Sequence, residues 1–183
     1  RYMTDVYAGN LQNICLEAFL NCYELEEFDF SQVKNIGSNA FSNTEISGIE
    51  GINIESIGRF AFDGCSELTS LTASYKLSTI DESAFNSCTA LTDVYYHGSE
   101  AEWNDISIAV NNGYLLNAEI HYNVHSLVNI GTVAPTCIQQ GYNLCECADC
   151  GKAVQADFTA ALGHSFAITA ASHGVATACC NRC

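Results

Sequence analysis

The dipeptide Ala-Phe recurs four times along this chain at nearly constant spacing. It occurs at residues 18–19, 40–41, 61–62 and 84–85, at intervals of 22, 21 and 23 residues. An isoleucine stands four residues before each of these alanines, and a cysteine or threonine stands three residues after each phenylalanine. Self-similarity at a short fixed period constrains the fold strongly, because it indicates structural units that stack on one another.

Each unit also carries an apolar pair spaced by three residues. The pairs are Leu25/Phe28, Ile46/Ile49, Leu68/Leu71 and Leu91/Val94. A unit of about 22 residues cannot bury these positions alone, but stacked neighbours create a continuous core. The pair therefore predicts a short strand lying roughly 4.8 Å from its neighbours in a parallel ladder. The isoleucine and Ala-Phe segment is expected to supply a turn and a helical or 3₁₀ piece on the opposite face.

Three of the units, IGSNAFSNTEISGI, IGRFAFDGCSELTSL and IDESAFNSCTALTDV, resemble the BspA-type (treponemal-type) leucine-rich repeat. The segment YYHGSEAEWNDISIAVNNGYLLNAEIHYN is similar to the cap that closes such arrays. The resemblance covers about residues 10–124. It implies an α/β leucine-rich-repeat solenoid with short parallel strands on its concave face. It also implies a bacterial or protist surface protein that binds host, matrix or other cell-surface proteins.

Charge and cysteine content both change near residue 125. All but three of the 21 acidic side chains precede it, whereas seven of the 11 cysteines lie between residues 137 and 183. We therefore predict a repeat array over residues 1–124 and a small Cys/His-rich module over residues 125–183. Within the array, complete units run from about 14 to 98, and the cap occupies 99–124.

The net charge of −15 indicates which partners the chain can have. A strongly acidic array repels nucleic acid and anionic lipid, and it suits a basic or neutral protein partner. No run approaches the roughly 18 apolar residues of a membrane helix, so we expect no membrane span. We expect a segment of a larger secreted protein, exposed at the cell surface.

Strand alternation predicts which side chains point out from the ladder. One outward column is Glu27, Gly48, Ser70 and Asp93, and the other is Asp29, Glu50, Thr72 and Tyr95. From these columns we predict a protein-binding strip that favours a basic patch on its partner. Its residues are Glu27, Asp29, Glu50, Ser70, Thr72, Asp93 and Tyr95. A merely solvated face remains the alternative.

Single residues of the array also carry predictions. Cys22, Cys65 and Cys88 share their phase with Thr44, so we predict small buried groups, with a Cys65–Cys88 disulfide as the alternative. Trp103 is expected to cover the apolar end of the stack, as solenoids require. His97 and His121 are interpreted as surface or cap residues.

The C-terminal module contains two imperfect copies of G-x5-C-x2-C. Gly141 precedes Cys147 and Cys150, and Gly174 precedes Cys180 and Cys183. Paired C-x2-C knuckles predict a structural zinc ribbon whose ligands are the four cysteines Cys147, Cys150, Cys180 and Cys183.

Other interpretations of these cysteines remain open. One site per copy would combine each knuckle with His125 or His164, and with Cys137 in the first copy. Disulfides suit an extracellular protein, and reduced thiols in a poorly ordered tail are a third possibility.

The sequence contains no G-x-S-x-G, H-E-x-x-H, P-loop or dinucleotide-binding glycine motif. We therefore predict that the chain is not an enzyme and that the array needs no cofactor. The predicted function is protein binding or adhesion at a cell surface. The alternatives are a passive spacer and an accessory region of a larger cell-surface hydrolase.

Overall fold

The computed structural model describes residues 5–6, 10–148, 150–172 and 175–180, with side chains for 10–148 and 150–165. The chain divides into two compact units, Arg1–Val124 and His125–Cys183. In the described part of the chain, the two helices have five residues each. Neither has the length and apolar character needed to cross a membrane.

The described part of the first unit consists mainly of short parallel strands. In chain order they are β1 (Asp5–Val6), β2 (Asn13–Ile14), β3 (Glu27–Phe28), β4 (Asn35–Ile36), β5 (Gly48–Gly51), β6 (Ser56–Ile57), β7 (Ser70–Ser74), β8 (Thr79–Ile80), β9 (Asp93–His97), β10 (Ser107–Ile108) and β11 (Glu119–Tyr122). A four-stranded sheet has the order β11-β9-β7-β5, and a five-stranded sheet has the order β10-β8-β6-β4-β2. The predicted solenoid of stacked parallel strands is confirmed.

The two ladders bury the apolar positions that the repeat predicts. In the four-stranded sheet Ile49 aligns with Leu71, and Leu71 aligns with Val94. In four strands of the five-stranded sheet, β2, β4, β6 and β8, the last residue is the repeat isoleucine, which is buried in every rung from Ile14 to Ile80. One continuous hydrophobic core therefore lies between the ladders.

The Ala-Phe segment forms hydrogen-bonded turns, so the expected helical or 3₁₀ piece is absent from the four described rungs. The residue before each alanine has a positive φ, and so does the second residue after each phenylalanine. A left-handed residue every four positions interrupts helical winding. The N–H groups of Asn39, Phe41 and Asn43 instead donate to the next rung, at Arg59 O, Ala61 O and Asp63 O, over 2.8–2.9 Å.

The phenylalanines of this segment form a stack through the core. Phe41 and Phe62 are parallel at 5.4 Å between ring centroids, as are Phe62 and Phe85. All three are fully buried, whereas Phe19 stacks on Phe41 at the partly exposed edge. Because burying one such ring contributes roughly 1.5–3 kcal/mol, the stack is a major source of stability for the array.

Cys65 and Cys88 are fully buried free thiols, so the alternative of a disulfide between them is wrong. Their Sγ atoms donate to Phe41 O and Phe62 O over 3.1 Å, and Thr44 Oγ1 donates to Phe41 O over 2.9 Å. The predicted role of small buried groups is confirmed for these two thiols. Burial raises the pKa of both, which keeps them protonated.

Two short helices close the array. In α1 (Glu100–Asn104), Ser99 and Glu102 form a capping box, and buried Trp103 packs edge-on against Tyr96 at 5.2 Å. The expected covering role of Trp103 is confirmed. His97 is buried, with only 5% of its surface exposed, so of the two interpretations given to it, surface or cap residue, the surface one is wrong.

Asn112 precedes α2 (Gly113–Asn117) and is only 1% exposed. Its Oδ1 accepts a hydrogen bond from the N–H of Phe85 at 3.0 Å. Its Nδ2 donates to Asp81 O at 3.0 Å and to Ala109 O at 2.9 Å. The amide of Asn112 therefore occupies the place that a further rung would take.

The described part of the second unit consists of antiparallel strands. They are β12 (Leu127–Val133), β13 (Gly141–Cys147), β14 (Ala153–Thr159), β15 (Phe166–Ser172) and β16 (Val175–Cys180). The first three form a sheet in the order β12-β13-β14, and the last two pair with each other. Cys137, Cys145, Cys147 and Cys150 are buried in this unit.

Candidate functional site

The outward face of the four-stranded sheet carries two columns of side chains in register. The first column runs Gly48, Ser70, Asp93, Glu119, and the second runs Glu50, Thr72, Tyr95, His121. Parallel pairing holds neighbouring members of a column roughly 4.8 Å apart. The side chains between these columns, such as Leu71 and Val94, point into the core. We call this outward face the sheet face.

The structure brings five of the seven predicted strip residues together on the sheet face. Glu50 and Tyr95 are exposed, Ser70 and Asp93 are half-buried, and Thr72 is covered, with 8% of its surface exposed. Glu27 is exposed but lies on β3, which pairs with β1 in a separate two-stranded sheet. Asp29 follows β3, and its carboxylate accepts a hydrogen bond from Ser31 N at 3.0 Å.

A compact polar cluster lies where β9 and β11 pair. The Nε2 atom of His121 is 2.9 Å from Oδ1 of Asp93, and the imidazole stacks on the ring of Tyr95 at 4.8 Å between centroids. Glu119 completes the cluster, because one of its carboxylate oxygens lies within 4.8 Å of a carboxylate oxygen of Asp93 and of a ring nitrogen of His121. Hydrogen bonds from His121 and then from Thr92 lower the pKa of Asp93, so this carboxylate stays ionised. The cluster presents fixed charge beside an exposed aromatic ring.

Sequence reasoning missed two residues of this cluster, Glu119 and His121. The prediction treated residues 99–124 as a cap and did not expect a strand there. The signal is present in the sequence, since Glu119–Tyr122 reads EIHY and its partner segment in β9 reads DVYY. Both have polar residues at the outward positions and an apolar second residue.

A second acidic feature adjoins the start of the strands. Four glutamates and one serine line a shallow groove of about 360 Å³, formed by Glu26, Glu27, Glu45, Ser47 and Glu67. Ser47 N donates to Glu26 O at 3.3 Å, which places the two adjacent units side by side. The groove thus adds negative charge near the starts of β3, β5 and β7, which favours a basic partner.

The predicted zinc ligands fall partly outside the described residues. Cys147 and Cys150 are described and buried; Cys147 ends β13, and Cys150 lies in the connection to β14. Cys180 ends β16, where its backbone alone is described, and Cys183 lies outside the described residues. The described structure instead brings a histidine to the first knuckle, because the ligating atoms of His125, Cys147 and Cys150 lie within 4.8 Å of one another.

Comparison with known families gives one match. Residues 4–112, more than half of the chain, match the family described as the BspA type leucine rich repeat region, in six copies. No curated protein and no solved structure matches the chain significantly.

Proposed function

The chain belongs to the BspA-type leucine-rich repeat family, and from this premise we propose that it binds a basic partner protein through the sheet face. Repeat arrays of this family are protein-interaction modules and are generally non-enzymatic. They typically occur in bacterial surface proteins. We therefore propose that the partner is a host, matrix or other cell-surface protein, and that binding takes place outside the cell as adhesion.

The observation that carries the proposal is the arrangement of Glu50, Asp93, Tyr95 and Glu119 on one rigid sheet. Their backbones are fixed by in-register pairing of β5, β7, β9 and β11. A backbone held this way loses little freedom on binding, which removes part of the cost of association. An exposed tyrosine beside fixed charge is also a common anchor at protein interfaces.

Charge supports the choice of a basic partner. Glu50 and Glu119 are exposed on the sheet face, and Asp93 is held ionised by its hydrogen bonds. Complementary charge steers association and weakens with salt, because exposed charges are screened over about 8 Å at physiological ionic strength. Binding through the sheet face is therefore expected to be tight at low salt and weaker at high salt.

The test is a binding screen with the purified chain against immobilised matrix and host cell-surface proteins. For a protein that binds saturably, the double variant Glu50→Lys, Glu119→Lys is expected to raise Kd at low salt by about tenfold or more. The salt dependence is expected to become shallower in the same variant. Tyr95→Ala is expected to increase the dissociation rate.

The matched control is the double variant Glu55→Lys, Asp81→Lys. It makes the same change of charge at exposed positions that flank β6 and β8 in the other ladder. Equal loss of binding in both double variants would mean that total charge, and not the sheet face, recruits the partner. Saturable binding to none of the proteins would favour the passive spacer.

A further inference from the structure

The second unit gathers two thiols and an imidazole at one edge of its three-stranded sheet. β13 ends at Cys147 and β14 begins at Ala153, so Cys150 lies in the connection between them. β12 begins at Leu127, which pairs with Cys147 in the antiparallel register. Because the start of β12 lies beside the end of β13 in this antiparallel pair, His125 lies next to the same connection. Ala148 N donates to Ser126 O at 2.9 Å and fixes this approach.

The connection has the form of a metal knuckle. Cys147 N donates to Lys152 O at 3.0 Å, and Gly151 N donates back to Cys147 O at 2.9 Å. Gly151 has a φ of +74°, which closes the turn in a conformation that favours glycine. This hydrogen bonding holds the two cysteines of C-x2-C on one side of a tight turn, the spacing that structural zinc sites use.

The donor atoms themselves converge. The Sγ of Cys150 is 3.7 Å from Nδ1 of His125, and the Sγ of Cys147 lies within 4.8 Å of both. Two zinc ligands at tetrahedral angles and bond lengths of about 2.0–2.3 Å are separated by roughly 3.5–4 Å. Cys147 and Cys150 are only 1% and 5% exposed, so the thiols are shielded from bulk solvent.

We propose that His125, Cys147 and Cys150 bind one zinc ion, which ties the start of β12 to the β13–β14 hairpin. Soft thiolates with an imidazole select zinc over calcium or magnesium, which prefer oxygen ligands. This ligand set replaces the four-cysteine ribbon with a site centred on the first copy. The zinc proposal does not rest on the proposed binding function.

Two other buried cysteines of this unit serve as controls. Cys137 lies in the connection between β12 and β13, at the end of the hairpin where Val133 pairs with Tyr142. The length of β13, about 20 Å, separates that end from Cys147. Cys145 is on β13 itself, paired with Asn129 and Val154, and is outside the cluster of three donors.

The experiment measures zinc content by elemental analysis and zinc coordination by X-ray absorption, on the complete 183-residue chain. The expected result is one zinc per chain, with a histidine nitrogen at about 2.0 Å and cysteine sulfurs at about 2.3 Å. Cys147→Ser, Cys150→Ser and His125→Ala are each expected to lower retained zinc at least tenfold after dialysis. Cys137→Ser and Cys145→Ser are expected to leave it unchanged.

His125→Cys keeps the test informative if the serine and alanine variants fail to fold. This variant is expected to retain zinc and to show one more sulfur neighbour than the wild-type chain. The proposal is overturned by absence of stoichiometric zinc, by four sulfurs and no nitrogen around the wild-type metal, or by an unchanged sulfur count in His125→Cys.

Discussion

Gly58 lies at a close approach between adjacent rungs of the array. A Cβ at this position would lie 2.8 Å from Ile36 O and Ser38 N and 2.9 Å from the carbonyl carbon of Gly37. All three atoms belong to the backbone of the preceding rung, so no side chain can move to make room. Glycine is required here by the contact between rungs and not by its own backbone conformation.

We predict that Gly58→Ala lowers the free energy of unfolding by roughly 1–3 kcal/mol, because the added methyl group separates two hydrogen-bonded rungs. Chemical denaturation of the purified variant measures this change. Gly113→Ala is the control, since a Cβ there meets nothing within 4 Å. The control is expected to be neutral or stabilising by about 0.4–1 kcal/mol. Equal stability of the two variants would contradict the prediction.

At the scale of elements, the Ala-Phe turns of successive rungs are joined by a row of backbone hydrogen bonds, which we call the turn row. The N–H groups of the last rung need acceptors, and the group that supplies them is the terminator of the row. Each rung donates N–H groups to the next, and the last complete rung donates through Ser83 N to Val110 O at 3.0 Å and through Phe85 N to Asn112 Oδ1. Phe85 is fully buried, so its N–H cannot form a hydrogen bond with water instead. The cap thus accepts the hydrogen bonds of the last rung as well as covering the hydrophobic core.

We predict that Asn112→Ala destabilises the array by roughly 1–3 kcal/mol, the cost of leaving a buried donor unsatisfied. Asn112→Asp retains the acceptor for Phe85 N–H but loses the donors to Asp81 O and Ala109 O, so it too is expected to be destabilising. Asn117→Ala is the matched control on α2, because this asparagine is exposed. Urea denaturation followed by Trp103 fluorescence measures all three variants, and no loss of stability in Asn112→Ala would refute the terminator role.

The sequence predicted the ladders and core because their apolar positions recur at a fixed period. It did not predict the turn row, because the turns need a positive φ at residues such as Glu17, Phe60 and Ser83. Side chains of these types ordinarily avoid positive φ, so the sequence does not indicate it. His121 was missed because β11 begins 26 residues after β9, an interval longer than the 21–23 residues that separate the Ala-Phe dipeptides. No Ala-Phe dipeptide lies between these two strands. The proximity of His125 to the first knuckle depends on the β12–β13 register, which pairs Leu127 with Cys147 and has no repeat to reveal it.

At the scale of the whole molecule, the two units differ in how much apolar core their described residues form. The array has a continuous apolar core, with rings and aliphatic side chains from every rung. In strand β12 of the second unit, by contrast, the side chains of all residues other than glycine are exposed. The glycine, at position 131, is half-buried. Small modules with little apolar core generally require metals or disulfides to fold.

We therefore predict that a strong zinc chelator destabilises the second unit and leaves the array intact. Metal binding free energy is folding free energy in such modules. Hydrogen exchange measured by mass spectrometry is expected to accelerate in peptides from residues 125–160 after chelation. Peptides from residues 40–97 and the fluorescence of Trp103 are expected to stay unchanged. Faster exchange in both regions would show that the units are not energetically separate.

The closure of the turn row by Asn112 has a consequence for how such a gene can change length. A rung inserted between two existing rungs by recombination receives N–H groups from one neighbour and offers its own to the next, so the last rung still ends at Asn112. A duplication that carried residues 99–124 into the interior would bury a terminator within the stack. Variation in repeat number is therefore expected upstream of this segment, with the final rung and Asn112 inherited together.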